Sequence, residues 1–396
     1  MNNNEYVIKG FSASAVSAGL KKDNVLDLAL VVSEEEATAA GVFTTNQVKA
    51  APVILSQQHV CDGKARAIIA NSGNANACSG EAGLNNSLLT ADLVARKLGI
   101  GPEEVLVAST GVIGLPLDMD LISGAIPGLI EGLSPEGLPS VAKAIMTTDS
   151  FPKISHFDGK AGGLPYRILG IAKGAGMIMP NMATMLCFVL SSIRIDVHDL
   201  KRALASSVDV TFNRITVDGD TSTNDMVLAL ANGSAGNSSF SKADYNGFVE
   251  GLRAVLEDLS LMIVRDGEGS TKLIYVEIKG ANSASDALNA AKTVANSTLV
   301  KTACYGEDPN WGRIMAALGR TEIALKEDCV DIWVDNIQIV SGGFGKGAEA
   351  ERLAAEKMAE REFTLTIDLH QGAYQDRMVT CDLTHEYISI NADYRT

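Results

Sequence analysis

An alanine–threonine pair near the middle of the chain has the residue types and the neighbours that a self-cleaving peptide bond requires. Ala183 and Thr184 follow a Pro180-Asn181 bend and precede an apolar run, residues 185–195, that is typical of a buried strand. The Thr184 hydroxyl could attack the carbonyl of Ala183, converting the peptide to an ester that water cleaves. Thr184 would then carry an α-amine, with an ordinary pKa of ~7.7–8, that serves as base for its own hydroxyl. The alternative is an ordinary strand threonine, since threonine is common in strands.

Two further segments present groups that could assist such a nucleophile. Lys173 precedes a glycine-flanked turn, where the backbone can approach another group closely. Thr110 and Gly111 follow the predicted strand 105–108 and present a hydroxyl beside an accessible N–H. Such donors can hold the oxyanion of a tetrahedral intermediate, although a Thr-Gly pair after a strand is more often a simple turn.

Other polar segments lie in predicted loops. Glu268 stands between two glycines on a tight turn, where its carboxylate could meet a ligand ammonium or could simply be solvated. Thr147 and Thr148 belong to a capping or turn sequence, and residues 71–80 form a loop that is either structural or a pocket wall. Residues 216–225 lack the glutamate spacing of a calcium loop, and we interpret them as a hydrogen-bonded loop close to the site.

The elements that must position these groups are strands and helices in mixed order. Residues 25–32, 65–70 and 378–390 are predicted strands, and 248–263 is a predicted amphipathic helix. Strict βαβ alternation and the glycine-rich phosphate-binding motifs are missing from the sequence. The pattern predicts an α+β fold with mixed sheets, and the length allows two or three domains.

The composition restricts the class of partner. The chain has 396 residues, 46% of them hydrophobic, and a formal net charge of −15. An acidic chain has no general affinity for nucleic acid or an anionic membrane, so we expect small-molecule partners. Its six cysteines and five histidines show neither disulfide-framework nor metal-ligand spacing, so we expect no metal. No signal peptide and no apolar run of ~20 residues is apparent, and we expect a cytoplasmic protein.

Two long motifs carry a resemblance to a known family. They are Lys173-Gly174-Ala175-Gly176-Met177 continued by Met179-Pro180-Asn181-Met182-Ala183-Thr184-Met185-Leu186, and Cys304-Tyr305-Gly306-Glu307-Asp308-Pro309-Asn310-Trp311-Gly312-Arg313. Both resemble the ornithine acetyltransferase (glutamate N-acetyltransferase) family of arginine biosynthesis, and the similarity runs nearly end to end. The resemblance implies a self-processing, N-terminal-nucleophile-like α+β fold, of the type shared with certain autoprocessed aminopeptidases. It also implies two fragments, 1–183 and 184–396.

The resemblance also assigns roles to residues. Thr184 is implied as the nucleophile, cleaved from Ala183, and Thr110 with Gly111 as the oxyanion hole. The implied substrate-binding residues are Thr147 or Thr148, Lys173, Thr184, Glu268, Asn391 and Thr396. The motif does not decide between the two neighbouring threonines.

The implied reaction moves an acetyl group from N2-acetyl-L-ornithine to L-glutamate through an acetyl-threonine enzyme. No cofactor is implied, the use of acetyl-CoA as a second donor stays open, and the implied assembly is a heterotetramer of two copies of each fragment. Two alternatives remain at this point. One is an autoprocessed aminopeptidase or amidohydrolase of related fold, and the other is a non-catalytic binder of acetylated amino acids.

Overall fold

The computed structural model describes residues 5–179 and 185–393, which form two compact units. Unit 1 holds the chain up to Asn213 together with Asp220–Ile263, and unit 2 holds Arg214–Gly219 together with the chain from Val264 onward. Unit 1 therefore takes residues from both sides of the predicted cleavage bond. Among the described residues, no helix combines the length and apolar composition needed to cross a membrane.

Unit 1 is built on a mixed sheet with helices on both faces. Its described strands are β1 (Phe11–Val16), β2 (Leu28–Phe43), β3 (Lys64–Asn71), β4 (Val105–Ser109), β5 (Lys153–Ala161), β6 (Leu164–Lys173), β7 (Leu186–Ser191) and β8 (Met226–Ala231). Its described helices are α1 (Ala51–His59), α2 (Gly80–Leu98), α3 (Met119–Glu131), α4 (Leu138–Ala144), α5 (Val197–Val210) and α6 (Lys242–Arg265).

The strands of unit 1 are ordered β4-β3-β2-β8-β7-β6-β5, with β1 also paired to β2. The long strand β2 pairs with β3 through its first part and with β8 through its second part, across an irregularity between Val32 and Ala37. One core cluster joins α2 and α3 to β3 and β4, and another joins α4 to β2, β6, β7 and β8. Because both faces are covered, β7 and β8 are buried along their whole length and have continuous apolar sequences.

The register of β5, β6 and β7 determines where Lys173 lies. Lys173 is the last residue of β6 and pairs with Leu186, the first residue of β7. On the other side of β6, Lys153 pairs with Ala172. The two lysines therefore lie at the same end of adjacent strands.

Unit 2 has a second mixed sheet, ordered β12-β11-β10-β13-β9-β14. Its described strands are β9 (Leu273–Ala281), β10 (Asp331–Val334), β11 (Ile337–Ser341), β12 (Phe344–Gly345), β13 (Glu362–Asp368) and β14 (Tyr374–Cys381). Its described helices are α7 (Ala284–Ala295), α8 (Thr298–Tyr305), α9 (Trp311–Leu318), α10 (Ala348–Met358) and α11 (His385–Asp393). Ala287, Ala290, Ala291 and Val294 form one buried stripe of α7, at helical spacing, within the core of this unit.

The predicted α+β class is confirmed, and the predicted strands 25–32 and 65–70 lie mostly in β2 and β3. The predicted strand 378–390 is wrong in its second half. The strand ends at Cys381, and helix α11 begins at His385. The physical reason is a helix cap: the hydroxyl of Thr384 accepts a hydrogen bond from the N–H of Tyr387 at 3.4 Å, which favours a helical turn over a further strand.

Candidate active site

Lys173 is the centre of a polar cluster in unit 1. Its Nζ donates a hydrogen bond of 2.7 Å to Oγ1 of Thr147 and a longer one of 3.4 Å to Oγ1 of Thr110. The three residues come from the end of β6, the segment after α4 and the segment after β4. The fold therefore brings together three of the residues that the sequence singled out.

A buried carboxylate lies behind this cluster. The side chains of Asp149 and Lys153 are both 0% exposed, and Lys153 Nζ donates to Oδ1 of Asp149 at 2.8 Å. The same Oδ1 accepts from the N–H of Gly174 at 2.6 Å, while Oδ2 accepts from the N–H of Thr147 at 2.9 Å. Lys173 Nζ lies 4.0 Å from Oδ2. Asp149 therefore bonds to the backbone on both sides of the lysine–threonine contact.

The electrostatics of Asp149 follow from these neighbours. Burial alone would raise the pKa of its carboxyl, because it disfavours the charged form. The ammonium groups of Lys173 and Lys153 outweigh burial and lower the pKa of Asp149 from 3.8 to about 2. The carboxylate is therefore ionised at neutral pH.

Thr110 and Gly111 form a tight turn that packs on the neighbouring loop. Gly111 has a φ of +129°, and a Cβ there would lie 2.4 Å from the carbonyl carbon of Gly73, so only glycine fits. The N–H of Thr110 donates to the backbone carbonyl oxygen of Asn71 at 2.9 Å. Within residues 5–179 and 185–393, no group accepts the N–H of Gly111. Because the Thr110 oxygen accepts from Lys173, its own hydrogen can point elsewhere.

Hydrogen bonds tie the loop 71–80 and Asn224 to this turn. The side-chain amide of Asn224 donates to the carbonyl of Ser109 at 2.8 Å and to that of Ala75 at 2.6 Å, linking the two segments. Asn71 donates to the carbonyl of Asn74 at 2.9 Å and accepts from the Ser109 hydroxyl at 2.6 Å. The loop that contains Asn224 is thus hydrogen-bonded to the backbone beside Thr110, as its sequence predicts.

The two neighbouring threonines differ in their contacts. Thr147 accepts from Lys173, whereas no hydrogen bond to a described residue is found for Thr148. We therefore expect Thr147→Val to lower kcat/KM for the acetyl transfer that the family resemblance implies by ~10-fold or more, since a hydrogen bond to a charged group contributes ~1.5–3 kcal/mol. Thr148→Val is the matched control, because Thr148 is half-buried like Thr147 but has no hydrogen bond to a described residue, and it should stay within a factor of ~2 of wild type. Steady-state kinetics of both variants would test this, and a larger loss for Thr148→Val would contradict it.

Unit 2 brings together a second pair of predicted site residues. Glu268 is only 8% exposed, and its Oε2 accepts a 2.7 Å hydrogen bond from the side-chain amide of Asn391, in the last turn of α11. A Cβ on Gly269, whose φ is +66°, would lie 2.7 Å from the backbone nitrogen of Tyr387, so glycine is needed beneath α11. Asp382 anchors the end of the loop by accepting the N–H of Thr271 at 2.8 Å. The solvated-turn interpretation of Glu268 is therefore wrong.

The described residues thus hold two groups of predicted site residues, one in each unit. Ala183, Thr184 and Thr396 lie outside the described residues. Sequence reasoning did not single out Asp149, Lys153 or Asn224. Asp149 and Lys153 have ordinary turn-and-strand surroundings in the sequence, and no local signal indicates that both are buried.

One carboxylate–imidazole group among the described residues has metal-ligand spacing. Ligand atoms of Asp196, His198 and Asp199 lie within 4.8 Å of one another at the start of α5. Asp196 and His198 are exposed, and the Asp196 carboxylate already caps the helix by accepting the N–H of Asp199 at 2.9 Å. Capping accounts for this arrangement.

Comparison with known proteins places most of the chain in one family. A family model described as "ArgJ family" matches residues 12–396. The "Arginine biosynthesis bifunctional protein ArgJ" of Geobacter sulfurreducens is 49% identical over 391 residues, covering 98% of this chain and 100% of the relative. The protein of the same name from Syntrophotalea carbinolica is 50% identical over 392 residues, covering 98% and 99%. A crystal structure of arginine biosynthesis bifunctional protein ArgJ from Bacillus halodurans has a TM-score of 0.50 and 41% identity, covering 52% of this chain and 98% of the solved one.

Proposed function

The chain belongs to the ArgJ family and is an acetyltransferase of arginine biosynthesis, and we propose that it moves the acetyl group of N2-acetyl-L-ornithine to L-glutamate through an acetyl-Thr184 intermediate. The observation that carries this proposal is the cluster of Lys173, Thr110 and Thr147 beside the N–H of Gly111, for which the described part of the chain offers no acceptor. An ammonium with two hydroxyls and a backbone donor suits an acylated amino acid, whose carboxylate and carbonyl oxygen are both acceptors.

The first half-reaction forms the acetyl-enzyme. The α-amine of Thr184 takes the proton of its hydroxyl as the oxygen attacks the acetyl carbonyl, giving a tetrahedral oxyanion. The amide C–N bond then breaks, the proton passes to the leaving nitrogen, and ornithine departs. In the second half-reaction the glutamate amine attacks the acetyl ester, and the Thr184 oxygen leaves and regains its proton. The products are N-acetyl-L-glutamate and free enzyme.

Thr110 and Gly111 stabilise the tetrahedral oxyanion. The hydroxyl of Thr110 and the N–H of Gly111 are adjacent donors on a turn that Asn71 and Asn224 hold in place. Donors fixed before the reaction cost no reorganisation when the charge develops. The conformation of the Thr110–Gly111 turn therefore matters for catalysis as much as the residue types, because it sets the direction of both donors.

The charged groups provide complementary recognition of the two substrates. Lys173 binds the α-carboxylate that acetyl-ornithine and glutamate share, with Thr147 or Thr148 beside it, and the geometry favours Thr147. Glu268 has the charge that complements the ornithine ammonium, and Asn391 donates to the Glu268 carboxylate at 2.7 Å. Asn391 and Thr396 are also suited to the α-carboxylate or acyl region of the substrate.

We expect Glu268→Gln to raise the KM for N2-acetyl-L-ornithine by ~10-fold or more and to change the KM for glutamate much less. The reason is that the substitution keeps the shape but removes a charge-assisted contact worth ~1.5–3 kcal/mol to the ornithine ammonium. Initial-rate kinetics with each substrate varied would measure this. Glu386→Gln, the same substitution at an exposed position of α11, is the control. Equal increases for both substrates would contradict the assignment.

Self-cleavage gives fragments 1–183 and 184–396, and the sheet of unit 1 explains how they stay associated. Strand β7 follows the cleavage bond and pairs with β6, which precedes it. Strand β8 of the second fragment also pairs with β2 of the first. Two strands of one fragment therefore lie between strands of the other, and separation would expose unpaired edges in a buried sheet. The solved relative, about half as long as this chain and matched along 98% of its length, supports cleavage near the middle.

The assembly, the location and the second donor are parts of the same proposal. We expect a heterotetramer of two copies of each fragment in the cytoplasm, with no resident cofactor. We also propose acetyl-CoA as a second acetyl donor to the same threonine; the relatives are named bifunctional. Size-exclusion chromatography with light scattering would test the assembly, cell fractionation the location, and glutamate acetylation by acetyl-CoA the second donor.

The central test is transfer of a labelled acetyl group. Purified protein, N2-([¹³C]acetyl)-L-ornithine and L-glutamate should give labelled N-acetyl-L-glutamate, with ping-pong kinetics. Without glutamate, labelled ornithine should exchange into N2-acetyl-L-ornithine, because the acetyl-enzyme forms independently of the acceptor. Hydrolysis of small peptides without exchange would favour the aminopeptidase alternative. Binding of acetylated amino acids without turnover would favour the non-catalytic one.

A further inference from the structure

Asp149 is a buried anion that touches both partners of the Lys173–Thr147 contact without facing the substrate. Its carboxylate bonds to the N–H of Thr147 and to the N–H of Gly174, the residue directly after Lys173. Its side chain is 0% exposed, so any effect of Asp149 on the reaction is transmitted by the groups it contacts.

Lys153 balances this anion from the adjacent strand. It is 0% exposed, donates to Asp149 at 2.8 Å and pairs in register with Ala172, next to Lys173. A fully buried ion pair gives little net stability, because desolvation offsets most of the attraction. Because Asp149 also accepts the N–H groups of Thr147 and Gly174, this ion pair is suited to fixing the positions of those two backbone segments.

Asp149 lies near two lysines at different distances. Asp149 lies 2.8 Å from Lys153 and 4.0 Å from Lys173, so its closer ion pair is with Lys153. Lys21 is a third lysine near Asp149, and its Nζ donates to the carbonyl of Met146 at 3.0 Å. Burial lowers the pKa of Lys21, and Asp27 and Asp149 partly oppose that shift. The Nζ of Lys173 donates to the hydroxyls of Thr147 and Thr110.

We propose that Asp149, held by Lys153, is a positioning residue that fixes Lys173 and Thr147 for acetyl transfer. The proposal rests on the proposed function for its kinetic readout. Asp149 orients the ammonium and the hydroxyl by holding the backbone of both, and Lys153 keeps Asp149 from drawing Lys173 away from Thr147. Neither Asp149 nor Lys153 contacts the substrate.

Two variants should move the pH profile in opposite directions. Asp149→Asn removes the anion that favours the charged form of Lys173, so the alkaline limb of kcat/KM should move to lower pH. Lys153→Gln removes a competing cation, so the same limb should move to higher pH. For Asp149→Asn we also expect kcat/KM to fall by ~10²-fold, the scale of a misplacement of about 1 Å. General destabilisation would not give shifts of opposite sign.

The experiment measures kcat and KM against pH per mole of self-cleaved chain, with circular dichroism to establish folding. Asp158→Asn is the matched control, because it breaks the ion pair to Arg167 in the same β5–β6 hairpin at a partly exposed site. If one of the two variants fails to fold, the direction in which the alkaline limb of kcat/KM moves in the other variant tests the proposal. Unchanged kinetics with a lowered Tm, shifts in the same direction, or a folded but uncut Asp149→Asn chain would overturn the positioning role. Absence of acetyl exchange in the wild type would instead contradict the proposed function.

Discussion

A chain carrying Thr184→Ala is expected to remain a single polypeptide near 41.6 kDa and to transfer no measurable acetyl group. Alanine has no hydroxyl to attack the preceding carbonyl, so the bond between Ala183 and residue 184 stays intact. The α-amine that would serve as base is then never released, and nucleophile and base are lost together. Loss of a covalent nucleophile costs on the order of 10⁶-fold in kcat.

Denaturing electrophoresis and intact-mass spectrometry measure cleavage, and the labelled-acetyl assay measures transfer. Thr184→Ser is the matched variant, because serine keeps a hydroxyl at the same position and should cleave and transfer at reduced rates. An uncut wild-type chain with full activity would contradict the mechanism. So would Thr184→Ala protein that still exchanges acetyl groups.

Thr110→Ala is expected to lower kcat by ~10²–10³-fold while changing KM far less, because the lost hydroxyl acts on the oxyanion of the transition state. The structure supports this expectation in two ways. The Thr110 oxygen accepts from Lys173, leaving its hydrogen to donate, and the turn that carries it is held by Asn71 and Asn224. Self-cleavage passes through a similar oxyanion, so this variant should also cleave more slowly.

Thr110→Ser retains the hydroxyl and should keep most of the activity, and the comparison therefore isolates the hydrogen bond from the methyl group. Steady-state kinetics and the time course of cleavage after synthesis are the two measurements. A rise in KM at constant kcat would indicate that Thr110 binds the substrate and does not stabilise the transition state. Equal losses in the serine and alanine variants would indicate a packing role.

Much of the fold was predictable because hydrophobic patterns report directly on burial. The core strands β3 and β4 and the helix α6 are long or regular enough for their periodicity to identify them. The error at residues 378–390 arose where a cap, and not periodicity, decides the structure. The hydroxyl of Thr384 binds the N–H of Tyr387 and starts α11, which carries Asn391 to the carboxylate of Glu268.

The sequence by itself indicated which residues could carry chemistry: a threonine after an alanine at a bend, a lysine before a glycine turn, and a Thr-Gly pair after a strand. These are local properties, since residue type and immediate neighbours set which groups can react. Only the tertiary structure decided that Thr147, and not Thr148, meets Lys173, and that Asp149 and Lys153 are buried behind them. Such choices depend on strand register and on contacts between residues distant in sequence, where a shift of one residue reverses the direction of a side chain.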